Sequence, residues 1–293
     1  MGSALLRRLK ADGYSNLLTR TREELDLTRR TEVEAFFRAE KPEYVFLAAA
    51  LVGGIRANAA RPADFIRENL LIETSVIHAA FLSGVKRLVF FASTCLYPRE
   101  CPQPMKEDHL FTGPMEPSSE AYSAAKLAGL MMCEAYNRQH GTRFLTLLPA
   151  TLYGPHDDFD LESGHVLSSL LRRFHEARSE RSVTVWGTGR PIREFLFVDD
   201  LVDACLFAIQ LPDPLPRWPL NVGTGEGIAV RDLAGMIGGV VGFAGRIEFD
   251  ASKPDGAPAK VLDVSRLQGL GWSARTPLLE GIRRTYAWYQ NPN

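Results

Sequence analysis

The chain has 293 residues, 45% of them hydrophobic and 24% charged, with a formal net charge of −1. That length can bury a large core and suits one sizeable domain or two unequal ones. The near-neutral balance offers no basic surface for nucleic acid or an anionic membrane, and no apolar run approaches the ~20 residues that cross a bilayer.

The opening Met1-Gly2-Ser3-Ala4-Leu5-Leu6-Arg7-Arg8 has too short and too charged an apolar stretch for a signal peptide. The four cysteines, Cys95, Cys101, Cys133 and Cys205, have neither CxxC nor zinc spacing. Reduced thiols, a cytoplasmic location and no metal are therefore expected.

In chain order, the first expected element is a helix over residues 4–9, with Leu5, Leu6 and Leu9 as its apolar stripe. Asp12-Gly13 closes it, and a short strand over 16–19 follows. An amphipathic helix over 28–39 turns Val33, Phe36 and Phe37 inward. Residues 44–50 are continuously apolar, the pattern of a strand covered on both faces. Next come a long helix over 65–82, a strand over 88–92, a proline-rich loop, a helix from Tyr122 to about residue 138, and a strand over 144–149. Strands alternating with helices through short connections predict a doubly wound parallel sheet of Rossmann type.

From Tyr153 the pattern breaks into loops, short helices (166–177, 198–210, 230–237) and isolated strands, with a proline-rich linker over 212–219. This part reads as a smaller, interleaved substrate lobe. The expected division is a dinucleotide-binding domain over 1–154, with 194–223 returning to it, and a lobe made of 155–193 and 224–293. A fold of this type opens with a strand and a glycine-rich turn that cradle a pyrophosphate. Here a helix begins almost at Met1, so that first strand and most of the loop are expected to be missing, with Gly2 either the loop's last glycine or a residue left by a cloning vector.

The chemistry is concentrated in Glu120-Ala121-Tyr122-Ser123-Ala124-Ala125-Lys126 and in Phe91-Ala92-Ser93-Thr94-Cys95. Tyr122 and Lys126, four apart in an alanine-rich run, lie on one helix face. An ammonium close to a phenol lowers its pKa, which makes it a better proton donor and acceptor near neutrality. Ser93 follows an apolar run and so stands at the carboxyl end of a strand, where open α/β sheets bind ligands. Serine, tyrosine and lysine together are the groups that reduce a carbonyl or oxidise an alcohol on a nicotinamide cofactor. An ordinary surface helix carrying YxxxK is the competing reading.

Several further stretches complete the pattern. These are Val52-Gly53-Gly54-Ile55 with Asn58, Ser93 to Pro98, and Tyr122 to Gly129. Leu152-Tyr153-Gly154-Pro155-His156-Asp157, His165-Val166, 172–177, Arg193-Glu194-Phe195 and 251–256 with Lys260 and Leu262-Asp263 follow. Over essentially its whole length the chain resembles the extended short-chain dehydrogenase/reductases, and among them the GDP-L-fucose synthases. The resemblance implies an enzyme, an NADPH-dependent 3,5-epimerase and 4-reductase acting on a GDP-sugar, GDP-4-keto-6-deoxy-mannose, as a homodimer.

By this resemblance Tyr122 gives a proton to the sugar ketone, Ser93 hydrogen-bonds it, and Lys126 tunes Tyr122 and holds the nicotinamide ribose. Cys95 is the base and His165 the acid of the two epimerisations. Cys95, two residues beyond Ser93 in an extended segment, is expected on the same side as the serine; its competing reading is a small buried hydrophobe. Arg20 and Arg22 favour the 2′-phosphate of NADPH over an unphosphorylated ribose, with a solvated basic turn as the alternative. Asp26 and Leu27 are expected near the adenine, and Phe91, Ala92, Ser93, Thr94, Pro149, Leu152 and His165 on the nicotinamide side. Arg173 and Arg193 match the family's diphosphate contacts, Trp186 a ring contact and Asp255 a polar contact to the nucleotide. Trp186 reads almost equally well as a core residue. Leu51, Ala150-Thr151 and Ala259 depart from a lysine, a Thr-Asn pair and an arginine common in the family. A sibling nucleotide-sugar reductase or epimerase, and a non-catalytic relative, are the rival readings.

Overall fold

The computed structural model describes residues 1–292 apart from 162–163, 215–218 and 254. The first half is built from α1 (Gly2–Ala11), α2 (Arg30–Glu40), β1 (Tyr44–Leu47), α3 (Ile55–Ala60), α4 (Pro62–Leu82), β2 (Arg87–Phe91), α5 (Glu120–His140), β3 (Phe144–Pro149) and β4 (Thr151–Tyr153). The second half continues with α6 (Val166–Glu176), β5 (Ser182–Trp186), β6 (Ile192–Phe197), α7 (Val198–Ala208), β7 (Leu220–Val222), β8 (Gly227–Ala229), α8 (Val230–Val241), β9 (Arg246–Asp250), β10 (Ala259–Lys260), α9 (Ser265–Gly269) and α10 (Leu278–Gln290).

β1, β2, β3 and β7 form a parallel sheet in that order, with Leu47 opposite Phe90, Phe91 opposite Leu147, and Pro149 opposite Val222. Continuous apolar runs suit strands covered by helices on both faces, and Leu88, Val89, Phe90, Leu147 and Leu148 are fully buried. The α/β architecture with a parallel sheet follows the pattern read from the sequence. β6 pairs in parallel with β4 and β10 and antiparallel with β8, while β5 pairs with β9. A first core surrounds the four-stranded sheet; a second gathers Leu171, Phe174, Leu233, Ile237 and Ile282 from α6, α8 and α10.

Three expectations change. Residues 16–19 form no strand and are largely exposed, because nothing hydrogen-bonds to them as a ladder partner. The apolar run over 44–50 is a strand only to Leu47: the Ala48 amide turns back to the Phe46 carbonyl at 3.0 Å, which ends the ladder. The helix expected over 230–237 runs on to Val241 and stops at Gly242, whose φ of 80° is the left-handed conformation that glycine adopts freely. Part of the linker expected over 212–219 lies outside the described residues. Among the described residues no helix is long and apolar enough to cross a membrane.

Candidate active site

β2 delivers the chain to the carboxyl edge of the sheet. Ser93 has extended backbone, and Thr94–Leu96 then forms a single tight turn in which the Cys95 amide donates to Ser93 Oγ at 3.3 Å. Cys95 therefore stands in a turn and not two steps along an extended segment. The serine side chain caps that turn, which bends the backbone there. Tyr122 lies in the first turn of α5 with the Ser93 hydroxyl close enough to act on its phenol, and Ser123 Oγ donates to the Cys95 carbonyl at 3.0 Å. The Phe65 ring meets the Tyr122 ring edge-on, centroids 6.3 Å apart. Gly53 permits this approach, since a Cβ there would come within 3.1 Å of Phe65. Ser93, Cys95 and Tyr122 are thus one knot.

Lys126 departs from the expectation. Its ammonium is buried and sits 2.9 Å from Glu73 Oε1, with the Phe90 ring 4.8 Å away. Burial pushes the Tyr122 phenol above its ordinary value, Cys95 and Glu73 push the same way, and the Ser93 hydrogen bond partly offsets them. Lys126 is not among the groups that move the phenol, whereas its partner Glu73 pushes it up. Burial also pushes the Glu73 carboxyl up to about 7, against the pull of Lys126.

The remaining candidates are spread around this knot. Gly2 opens α1, where an added Cβ would lie 3.7 Å from Ala48 just beyond β1. Arg20 pairs with Glu40 at 2.8 Å and lies over Phe36; Arg22 pairs with Glu68 at 3.2 Å. Asp26 accepts from the Thr28 amide and hydroxyl, which holds its carboxyl below the usual range, and Leu27 packs against the first core. Phe91 and Ala92 are buried beneath Ser93, Thr94 is half-buried, and Pro149 and Leu152 are half-buried at the end of β3 and in β4. His165 is exposed at the start of α6 and lies near Asp157, whose carboxyl burial raises and His165 pulls down.

The four nucleotide candidates come together. Trp186 is 43% exposed, which removes the core reading, and three cations surround its ring: Arg56 at 4.7 Å, Lys253 at 5.8 Å and Arg173 at 5.9 Å. Asp255 accepts from the Thr188 amide and hydroxyl at 2.7 Å each, and Arg193 donates to the Asp255 carbonyl at 3.3 Å. Arg56 lies on α3, which packs against the 117–119 turn that leads into α5 and Tyr122.

Sequence reasoning missed Glu73, Arg56, Lys253 and Phe65. Glu73 did leave a signal, a lone carboxylate in the apolar run Leu70-Leu71-Ile72-Glu73. Arg56 and Lys253 could not be separated from ordinary surface cations. A cavity of about 640 Å³ lined by Lys86, Arg87 and Arg143 lies at the opposite edge of the sheet and takes no part in this site.

The sequence pattern of the NAD dependent epimerase/dehydratase family matches residues 1–223. The chain belongs to that family. Among curated relatives, GDP-L-fucose synthase 1 of Arabidopsis thaliana is 50% identical over 291 residues, covering 99% of this chain and 90% of the relative. GDP-L-fucose synthase of Escherichia coli strain K12 is 46% identical over 300 aligned residues, 99% and 93% of the two chains. The solved structure of a GDP-mannoheptose C4 reductase from Campylobacter jejuni with NADP bound superposes with a TM-score of 0.91 at 40% identity, covering 99% of this chain and 95% of the other. In this epimerase/dehydratase the knot of Ser93, Cys95 and Tyr122 occupies the strand end that the fold reserves for ligands.

Proposed function

We propose that this chain makes GDP-L-fucose from GDP-4-keto-6-deoxy-D-mannose, inverting C3 and C5 and then reducing the C4 ketone with NADPH. The observation that carries this reading is the knot of Ser93, Cys95 and Tyr122: two oxyanion donors and a thiol gathered at the end of β2 and the start of α5. The residues present fit NADPH: strand ends Phe91 to Thr94 and Pro149 to Leu152 flank the knot, and Lys126 lies one helical turn below Tyr122. Gly2, Arg20, Arg22, Asp26 and Leu27 would hold the adenine half, with His165 completing the nicotinamide side. When bound, NADPH supplies the hydride that C4 receives.

Tyr122, kept protonated by its burial, gives its proton to the C4 oxygen, and Ser93 holds that oxygen by a hydrogen bond. The same two donors stabilise the enolate formed when a proton leaves C3 or C5, since both positions neighbour the ketone. Cys95 takes that proton and His165 returns one from the opposite face. Arg173 and Arg193 hold the diphosphate, Trp186 and Asp255 the nucleoside. We assign 1–154 with 194–223 to cofactor binding and 155–193 with 224–293 to the sugar nucleotide. We further propose a cytoplasmic homodimer; the 48% exposed Met131 on α5 supports an interface there.

Reduction without epimerisation is a second reading, favoured by the exposed position of His165. Two variants separate the steps. Tyr122→Phe is expected to cut NADPH oxidation at least 100-fold while solvent deuterium still enters the sugar. Cys95→Ser is expected to abolish deuterium entry. Oxidation and exchange unaltered in both variants would remove the proposal's foundation.

A further inference from the structure

We propose that Glu73 is a positioning residue for the reduction step: it anchors the Lys126 ammonium beneath Tyr122, and its charge governs how much of the lysine field reaches the phenol. The inference rests on the reading of Tyr122 as the proton donor. Glu73 is 1% exposed and Lys126 2%, and their charged atoms lie 2.9 Å apart. Among the described residues neither Glu73 oxygen completes a well-aligned hydrogen bond, so its contact with Lys126 is an ion pair. Two desolvated charges with so few alternatives stay together, because separating them leaves an uncompensated buried ion.

The fold makes room for this pair. Gly129 stands one turn beyond Lys126 on α5, and a Cβ there would lie 2.6 Å from Glu73 Oε2 and 2.5 Å from the Phe90 ring. Only a glycine lets the carboxylate reach across from α4. The ionisable groups coupled to Glu73 all come from α5: Lys126, Tyr122 and Cys133. β2 contributes the uncharged Phe90 ring.

Burial raises the Glu73 carboxyl to about 7, so its charge changes near neutrality. Below that pH the carboxyl is neutral and the lysine charge acts unopposed on Tyr122. Above it the carboxylate cancels that charge and adds its own repulsion to the tyrosinate. The device lets one buried acid adjust the acidity of the phenol without touching substrate.

The test has an arm that is independent of turnover. Carbon-13 NMR of glutamate-labelled protein, with Glu73→Gln assigning the signal, is expected to show one carboxyl titrating near neutrality. Lys126→Met is expected to displace that titration upward by at least one pH unit. A carboxyl that titrates like an exposed glutamate, or ignores Lys126→Met, overturns the proposal whatever the enzyme does. The second arm follows NADPH oxidation with GDP-4-keto-6-deoxy-D-mannose against pH. Glu73→Gln is expected to lower kcat about tenfold, leave KM for the sugar nucleotide within twofold, and erase an inflection near pH 7 that Glu73→Asp retains. A Glu73→Gln enzyme keeping the wild-type inflection also overturns the proposal. If wild type oxidises no NADPH, the functional reading fails while the NMR arm still judges the pair.

Discussion

Trp186 is an exposed aromatic ring that three cations approach from three parts of the chain, and its energetics make a direct prediction. A cation–π contact at a partly exposed site contributes about 0.5–1 kcal/mol, so no single arginine holds the ring. Removing the ring itself frees all three cations. Trp186→Ala is expected to raise KM for the GDP-sugar roughly tenfold, equivalent to about 1.4 kcal/mol, with kcat within threefold, as steady-state kinetics would register. A large fall in kcat with KM unchanged would place Trp186 elsewhere in the account. At this scale Ser93, Tyr122 and Lys126 were legible because helix period and strand-end position are local properties. The state of Tyr122 was not. It depends on Glu73, which lies 53 positions before Lys126 and reaches it only through tertiary packing. The turn at Cys95 was hidden for a related reason: a capping serine bends the chain where alternation alone implies extension.

Among elements, the pairing of α4 with α5 carries the site. α4 supplies Phe65 and Glu73, and α5 supplies Tyr122 and Lys126. Gly129 sets how closely the two approach. Gly129→Ala gains helix propensity of up to ~1 kcal/mol, but the added methyl collides with Phe90 and Glu73, and overpacking of this kind costs about 1–3 kcal/mol. The net expectation is a Tm lowered by several degrees, with reduction slowed further than stability alone explains, checked by thermal unfolding beside kinetics. A stabilised, fully active variant would contradict the packing described. α5 was legible from its alanine-rich run and α4 as a long helix between two expected strands. The strand expected over 16–19 was not formed, because a strand is a property of a ladder and needs a neighbour to hydrogen-bond.

Across the whole molecule, β6 enters both cores and a buried carboxylate holds it in place. Glu194 on β6 accepts from the Thr224, Gly225 and Leu262 amides at 2.6, 2.8 and 2.6 Å, which fastens the strand to two distant loops. Pairings such as β5 with β9, some sixty residues apart, leave no periodic trace in sequence, and the lobe was legible only as a loss of regularity. Three strands of the parallel sheet, β1 to β3, were legible because they are largely apolar and interspersed with helices. What the assembled molecule does is decided most directly by incubating the purified chain with NADPH and GDP-4-keto-6-deoxy-D-mannose in deuterated water and reading the product by NMR. The account predicts GDP-L-fucose carrying deuterium at both C3 and C5, formed in step with NADPH oxidation. Oxidation giving a sugar that retains hydrogen and configuration at both carbons, or no oxidation, would contradict it.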